Sequence, residues 1–220
     1  MFRPDKSSQL SVSAGQSFLL FSFFSALLFN LCFPASLWAA REERADTAMV
    51  MQVKEGNILV LKGGQEVRLI GVRGPSIREF TLNETLAHDQ GLRPEGMEDA
   101  AQQARDFVKY LVEGQTVRLE VDPAHAPIQH RDREGRILAY VWFVSPVYST
   151  PPDWLVVDPD PKTPEDGFLN AAVMRAGYGT LETDWPFSFG GKFLALEQEA
   201  KSNQRGMWKL LKNKPKSPAS

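Results

Sequence analysis

Apolar and polar positions come in short runs over residues 48–72: Met49-Val50-Met51-Gln52-Val53 and Asn57-Ile58-Leu59-Val60-Leu61 precede Gly63-Gly64, and Glu66 to Val72 follows. Short apolar runs broken by paired glycines predict a β-meander. From Gly74 to Gly96 no period is sustained, and Pro75, Asn83, Gly91 and Pro94 predict a long loop. Ala100, Ala104, Phe107, Val108 and Leu111 then recur at three- and four-residue spacing, which predicts an amphipathic helix over Glu98 to Glu113, stopped by Gly114. Thr116 to Asp122 and Ile137 to Val144 are the next expected strands. Phe168 to Ala176 and Phe193 to Gln204 return to helical spacing and end at Gly177 and Gly206, with Trp208 expected to pack just beyond.

The order is strands, helix, strands, helix, helix, and no segment repeats. It predicts an α+β fold with three helices around a small five-stranded barrel of the OB type, in which the first helix plugs one end. Between Ser145 and Gly167 lie Pro146, Pro151, Pro152, Pro159, Pro161 and Pro164, so residues 145–167 are expected to form a surface insertion.

A different pattern opens the chain. Residues 18–33 are rich in Phe, Leu, Ser and Ala, follow Arg3 and Lys6, and are followed by Pro34 and by Ala39-Ala40. That is the layout of an export signal over residues 1–40, cleaved near Arg41. The run is shorter than the roughly 20 residues of a spanning helix, which favours cleavage over retention of residues 18–40 as a membrane anchor. The expected location is therefore periplasmic or secreted, with a membrane involved only if the leader stays. Cys32, the one cysteine, falls in the apolar run, so the chain beyond the leader has no thiol and must be held by packing. At the other end Lys209, Lys212, Lys214 and Lys216 interleave with Pro215 and Pro218, and residues 211–220 are expected to be a basic, frayed tail after a domain spanning residues 45–210.

Of the 220 residues 43% are hydrophobic, enough for a real core, and 25 Lys+Arg against 27 Asp+Glu exclude a protein that holds nucleic acid by bulk positive charge. Any phosphate must be recognised locally. His88, His125 and His130 are scattered without paired ligand spacing and are expected to be solvent-exposed rather than zinc ligands. Tyr140 and Tyr178 have apolar neighbours, and core packing is favoured for them over base stacking.

Several segments carry a resemblance. Val67-Arg68-Leu69-Ile70-Gly71-Val72, Glu113-Gly114-Gln115-Thr116-Val117-Arg118-Leu119-Glu120, Asp132-Arg133-Glu134-Gly135-Arg136-Ile137-Leu138-Ala139-Tyr140, and Glu199-Ala200 with Arg205-Gly206-Met207-Trp208 resemble the staphylococcal nuclease (thermonuclease-like) family, in the right order from about Met49 to Trp208. The resemblance implies a calcium-dependent phosphodiesterase. In that family one aspartate in a turn after the first strand and another after the third hold calcium, a glutamate in the second turn is the base, and two arginines clamp the phosphate.

This chain departs from that pattern in both turns. Glu55-Gly56-Asn57-Ile58 puts Asn57 at the first aspartate, an amide that can ligate calcium without the charge that makes a site tight. Arg73-Gly74-Pro75-Ser76 puts Arg73 at the second aspartate and Ser76 at the base. A guanidinium neither ligates a cation nor gives up its proton, so the family's metal site and base are expected to be lost, with no cofactor. The clamp is retained as Arg68 and Arg136, and Arg73 can join them as a third positive charge suited to phosphate oxygens. Two readings stay open for these arginines: a metal-free phosphate pocket, or a closed ionic network in which Arg68 and Arg136 pair with Glu55, Asp132 or Glu134. Two functions stay open likewise. The first is an exported binding module for nucleic-acid or nucleotide phosphate, or for a protein partner. The alternative is a calcium-dependent nuclease that has moved its base and ligands to loop acids such as Glu79, Glu84, Asp89 and Glu95.

Overall fold

The computed structural model describes residues 46–145, 150, 152–156 and 166–212. The expected leader, most of the proline-rich insertion and residues 213–220 of the expected tail lie outside the described residues.

Alternation along the strands places Val50, Val53, Leu59, Leu61, Val67, Leu69, Val117 and Leu119 inside. Strand β1 (Asp46–Glu55) pairs antiparallel with β2 (Ile58–Leu61) through its second half and with β5 (Thr116–Glu120) through its first. It serves two neighbours because its register shifts between Val50 and Gln52 and again between Val53 and Glu55, irregularities that bend a strand round a barrel. β2 turns through Gly63-Gly64 into β3 (Glu66–Leu69), and β3 runs parallel to β6 (Ile137–Val144), which pairs antiparallel with β5. The parallel pairing of Val67 with Ile137 and Leu69 with Ala139 closes a ring of five strands. β7 (Asp166–Phe168) extends β6, and β4 (Val72–Arg73) pairs with β8 (Thr180–Leu181) in a separate ribbon.

Among the described residues there are two helices beyond the three predicted. Helix α1 (Phe80–Gln90) lies where a long loop was expected, because only Asn83, Leu86 and Ala87 face inward, too narrow an apolar stripe to show a period. Gly91, taken as a loop marker, is its left-handed cap, with φ of 64°. Helix α2 (Met97–Val112) is the plug, burying Ala100, Ala104, Val108 and Leu111. Its alanines let it approach the β1–β2 turn so closely that a Cβ on Gly56 would fall 2.7 Å from that of Ala104. Helices α3 (Leu169–Arg175) and α4 (Gly190–Ser202) follow, and α5 (Met207–Lys212) carries Trp208, which is buried as expected.

Two buried polar side chains tie these pieces together. Asn170, on α3, accepts from Val141 N at 2.9 Å and donates to Ile70 O at 3.0 Å, bridging β6 and the end of β3. Asp122, before a short 3-10 segment (Pro123–Ile128), accepts from Tyr140 Oη at 2.5 Å, Ser188 N at 2.7 Å and Ala124 N at 2.9 Å. Burial alone would raise the Asp122 carboxyl, but these hydrogen bonds outweigh it and hold the carboxyl below its ordinary value. Burial and the adjacent Asp122 push the Tyr140 phenol far up, so it stays a donor. Asp122→Ala is expected to cost about 2–3 kcal/mol, because it leaves buried donors unpaired. Because the carboxyl is lowered, its contribution is present above the ordinary aspartate range and fades as pH falls through the lowered value. Urea unfolding at neutral and acidic pH checks this: the gap between wild type and variant should narrow towards low pH.

Candidate functional site

The two arginines expected to form the clamp sit on the seam where the barrel closes. Arg68 projects from β3 and Arg136 stands just before β6, so the parallel β3–β6 pairing brings them together. Between them lies Asp132, whose side chain is fully buried. Its Oδ1 accepts from the amides of Glu134 and Arg136 at 3.0 and 2.9 Å, which shapes the turn. Its Oδ2 takes Arg136 Nε at 2.6 Å and lies 3.8 Å from Arg68 Nη1. Glu134 adds a second carboxylate to Arg136, at 2.8 Å.

Arg68 has another partner that spacing did not reveal. Glu182, just past β8, lies with its Oε1 2.5 Å from Arg68 Nη2. It is buried, and the ring of Trp185 lies 5.7 Å from the Arg68 guanidinium carbon. Burial pushes the Glu182 carboxyl up and Arg68 pulls it back; Asp184 adds to the rise and Arg73 opposes it, leaving the carboxyl above its ordinary value. Glu55, offered as a partner for the arginines, binds elsewhere: Oε2 accepts from Ile77 N at 3.0 Å and Oε1 from Ser76 Oγ at 3.3 Å.

The two turns of the expected metal site are filled by this chain's own contacts. Asn57 is buried and gives its amide nitrogen to Val72 O at 3.0 Å. Arg73 turns towards α1, where Asp89 lies 3.5 Å away. Ser76, at the base position, accepts from Arg78 N and Glu79 N at 3.1 Å each and so caps the approach to α1, while Asn83 binds the Ser76 backbone at both ends. The donor set present, one amide turned to a carbonyl, one cation and one capping hydroxyl, does not suit a calcium ion. Among the described residues no group of three His, Cys, Asp or Glu could hold a metal. Of the loop acids, Asp89 faces Arg73, and Glu84 and Glu95 line a separate cleft with Phe80.

Open space adjoins Arg136. A groove of about 470 Å³ runs between the β2–β3 turn and the Asp132 turn, with Arg131 and Arg136 facing Glu66 and Glu134.

Residues 66–210 match the family described as staphylococcal nuclease homologue. The chain belongs to the staphylococcal nuclease family. Its resemblance extends to a named relative: it is 37% identical over 135 residues to the thermonuclease of Staphylococcus hyicus, covering 60% of this chain and 63% of that protein. The family match begins after Asn57 and includes Arg73 to Ser76. Within the last motif of the resemblance the half-buried Glu199 takes Arg205 at 2.8 Å, and it also takes Arg175 at 3.1 Å.

The histidines divide. His88 is exposed as expected, but His125 is buried, with 2% of its surface accessible, and this corrects the expectation of exposure. It was missed because a 3-10 segment of six residues leaves no periodic signal. Tyr140 is in the core, and Tyr178 packs its ring 5.2 Å from that of Phe107.

Proposed function

We propose that this protein is an exported domain of the staphylococcal nuclease family that does not hydrolyse phosphodiesters with calcium and acts by binding a phosphate-bearing ligand. The observation that carries the first part is Arg73, a cation at the family's second carboxylate position, paired to Asp89. Hydrolysis of a phosphodiester needs charge stabilisation on the transferring phosphoryl group and a base for the attacking water. Here the Ser76 hydroxyl is occupied by the amides of Arg78 and Glu79, Asn57 bonds a carbonyl, and Arg73 repels a divalent ion. Arg68 and Arg136 keep their places, and the groove beside Arg136 gives an extended phosphate-bearing chain a way in. The pattern of residues 1–40 supports export.

The test is a calcium titration to 10 mM with single-stranded DNA and RNA. No cleavage above background is expected, and a gel-shift or anisotropy assay should show binding that Arg136→Ala weakens. The likeness to a thermonuclease favours the second reading, a working enzyme. Calcium-dependent cleavage that Arg136→Ala abolishes would establish it and overturn the first.

A further inference from the structure

The cleft between α1 and the start of α2 is a groove of about 430 Å³. Ile77, Phe80 and Pro94 give it an apolar wall, and Glu84, Glu95 and Glu98 stand round that wall against a single guanidinium, Arg78. Phe80 is 69% exposed, so a phenyl ring is left to water inside a concave surface whose rim is net negative. The groove continues the apolar cluster of Leu86, Ala87, Met97, Ala100 and Ala200. Phe80, Glu84 and Ala87 are spaced four and three apart and share one face of α1, and Ala87 belongs to that cluster. On the other wall Gly96 and Glu98 flank Met97, another member. Met207 and Trp208 of α5 complete the cluster and Leu210 packs against it, so the chain leaves α5 at the cluster that the groove continues.

We infer that the segment following α5, residues 213–220, docks in this groove as an intramolecular latch, its prolines against the apolar wall and its lysines among the three glutamates. Asn213-Lys214-Pro215-Lys216-Ser217-Pro218-Ala219-Ser220 carries two lysines and no acid, the complement of the rim. Proline fixes φ near −65° and favours an extended, polyproline-like chain, which loses little entropy on entering an aromatic-lined groove. The reach is sufficient: an extended chain of this length spans about 26 Å, whereas the α1 face from Ala87 to Phe80 is about 10 Å long. Tethering supplies an effective concentration on the order of millimolar, so the chain's own segment outcompetes a free peptide of equal affinity at micromolar concentration. Docked, it holds α1, whose Asp89 pairs with Arg73, against the domain, in place of the frayed end expected from composition alone.

Zero-length carbodiimide cross-linking of the full chain, read by peptide mass spectrometry, tests the latch. Amide links from Lys214 or Lys216 to Glu84, Glu95 or Glu98 are expected in the monomer and should fall away in about 0.5 M salt. A lysine-specific protease reads the same equilibrium, because cleavage after Lys216 samples the undocked segment. Phe80→Ser with Glu84→Lys and Glu95→Lys should speed that cleavage about tenfold. Adding Lys214→Glu and Lys216→Glu to Glu84→Lys with Glu95→Lys should restore the links with amine and carboxylate exchanged, which a fault in folding would not do. Phe80, Glu84 and Glu95 are exposed, and thermal melts confirm that the variants fold. Links found only in cross-linked dimers assign the groove to the tail of a second copy and overturn the intramolecular latch. Absence of the links from monomer and dimer alike, or cleavage unchanged in the variant, overturns the docking altogether and leaves the phosphate-binding reading standing.

Discussion

The double variant Asn57→Asp with Arg73→Asp is expected to melt well below wild type in chelator and to recover in millimolar calcium, while wild type melts at one temperature in both. Glu55 and Asn57 already adjoin the segment Val72 to Ile77, as Asn57 bonds Val72 O and Glu55 bonds Ile77 N. Two new carboxylates beside buried Glu55 would make three like charges; at about 5 Å and an effective dielectric of about 20, each pair costs about 3 kcal/mol. Calcium relieves that repulsion and binds the folded state only. A ligand at about 100 times its Kd adds about 2.7 kcal/mol, which in a domain of this size is a rise of about 5–10 °C. Ser76 is left in place because it caps the approach to α1, and Asp89, freed of Arg73, is half-exposed and tolerates the loss. Differential scanning fluorimetry with calcium against magnesium reads the result. A calcium shift in wild type, or none in the variant, would show that the charge at residue 73 does not decide metal binding.

How far the sequence could carry this depends on where each contact's information lies. The barrel was legible because the short apolar runs of β1–β3, broken by glycines, the alternation of β5, the continuous apolar run of β6, and the three- and four-residue spacing of α2 mark what is buried. Helix α1 was not, since three inward residues make no stripe and its fixing contacts, Ser76 with Asn83 and Arg73 with Asp89, are side-chain pairings of irregular spacing. The residues expected at the metal turns, Asn57, Arg73 and Ser76, could be named because that expectation depends only on residue identity within short motifs. The partner of Arg68 was not, because Glu182 lies 114 positions away and reaches it only through the β4–β8 ribbon. Asp122 left a faint signal as an acid before Pro123, an ordinary N-cap pattern, yet its bonds to Tyr140 and Ser188 come only from folding. Local pattern therefore yielded the scaffold, whereas the ionic partners of the arginines are a property of tertiary contacts.

Gly177→Ala is expected to be the most damaging single-methyl change in the domain. Gly177 ends α3 with φ of 79°, a left-handed conformation that costs an alanine about 1–2 kcal/mol. The larger part is steric. A Cβ at Gly177 would lie 2.3 Å from Arg205 O and 2.6 Å from Arg205 C, and one at Gly206 would lie 2.4 Å from Gly177 O. Both are backbone contacts, so no rotamer relieves them and the two segments must part. Parting breaks the hydrogen bond from Met207 N to Gly177 O at 3.0 Å and pulls Met207 and Trp208 from the apolar cluster of Leu86, Ala87, Met97, Ala100 and Ala200. The expected loss is about 4 kcal/mol or more, a fall in Tm of about 8–16 °C. Gly64→Ala is the matched control, since its φ is 84° but no atom lies within 4 Å of the added methyl. It should cost only the conformational part, about 1–2 kcal/mol. Urea unfolding of the two variants separates the terms. Equal losses would mean that the crossing of the α3 end and the α5 start yields to a methyl group, and that Trp208 is not held by it.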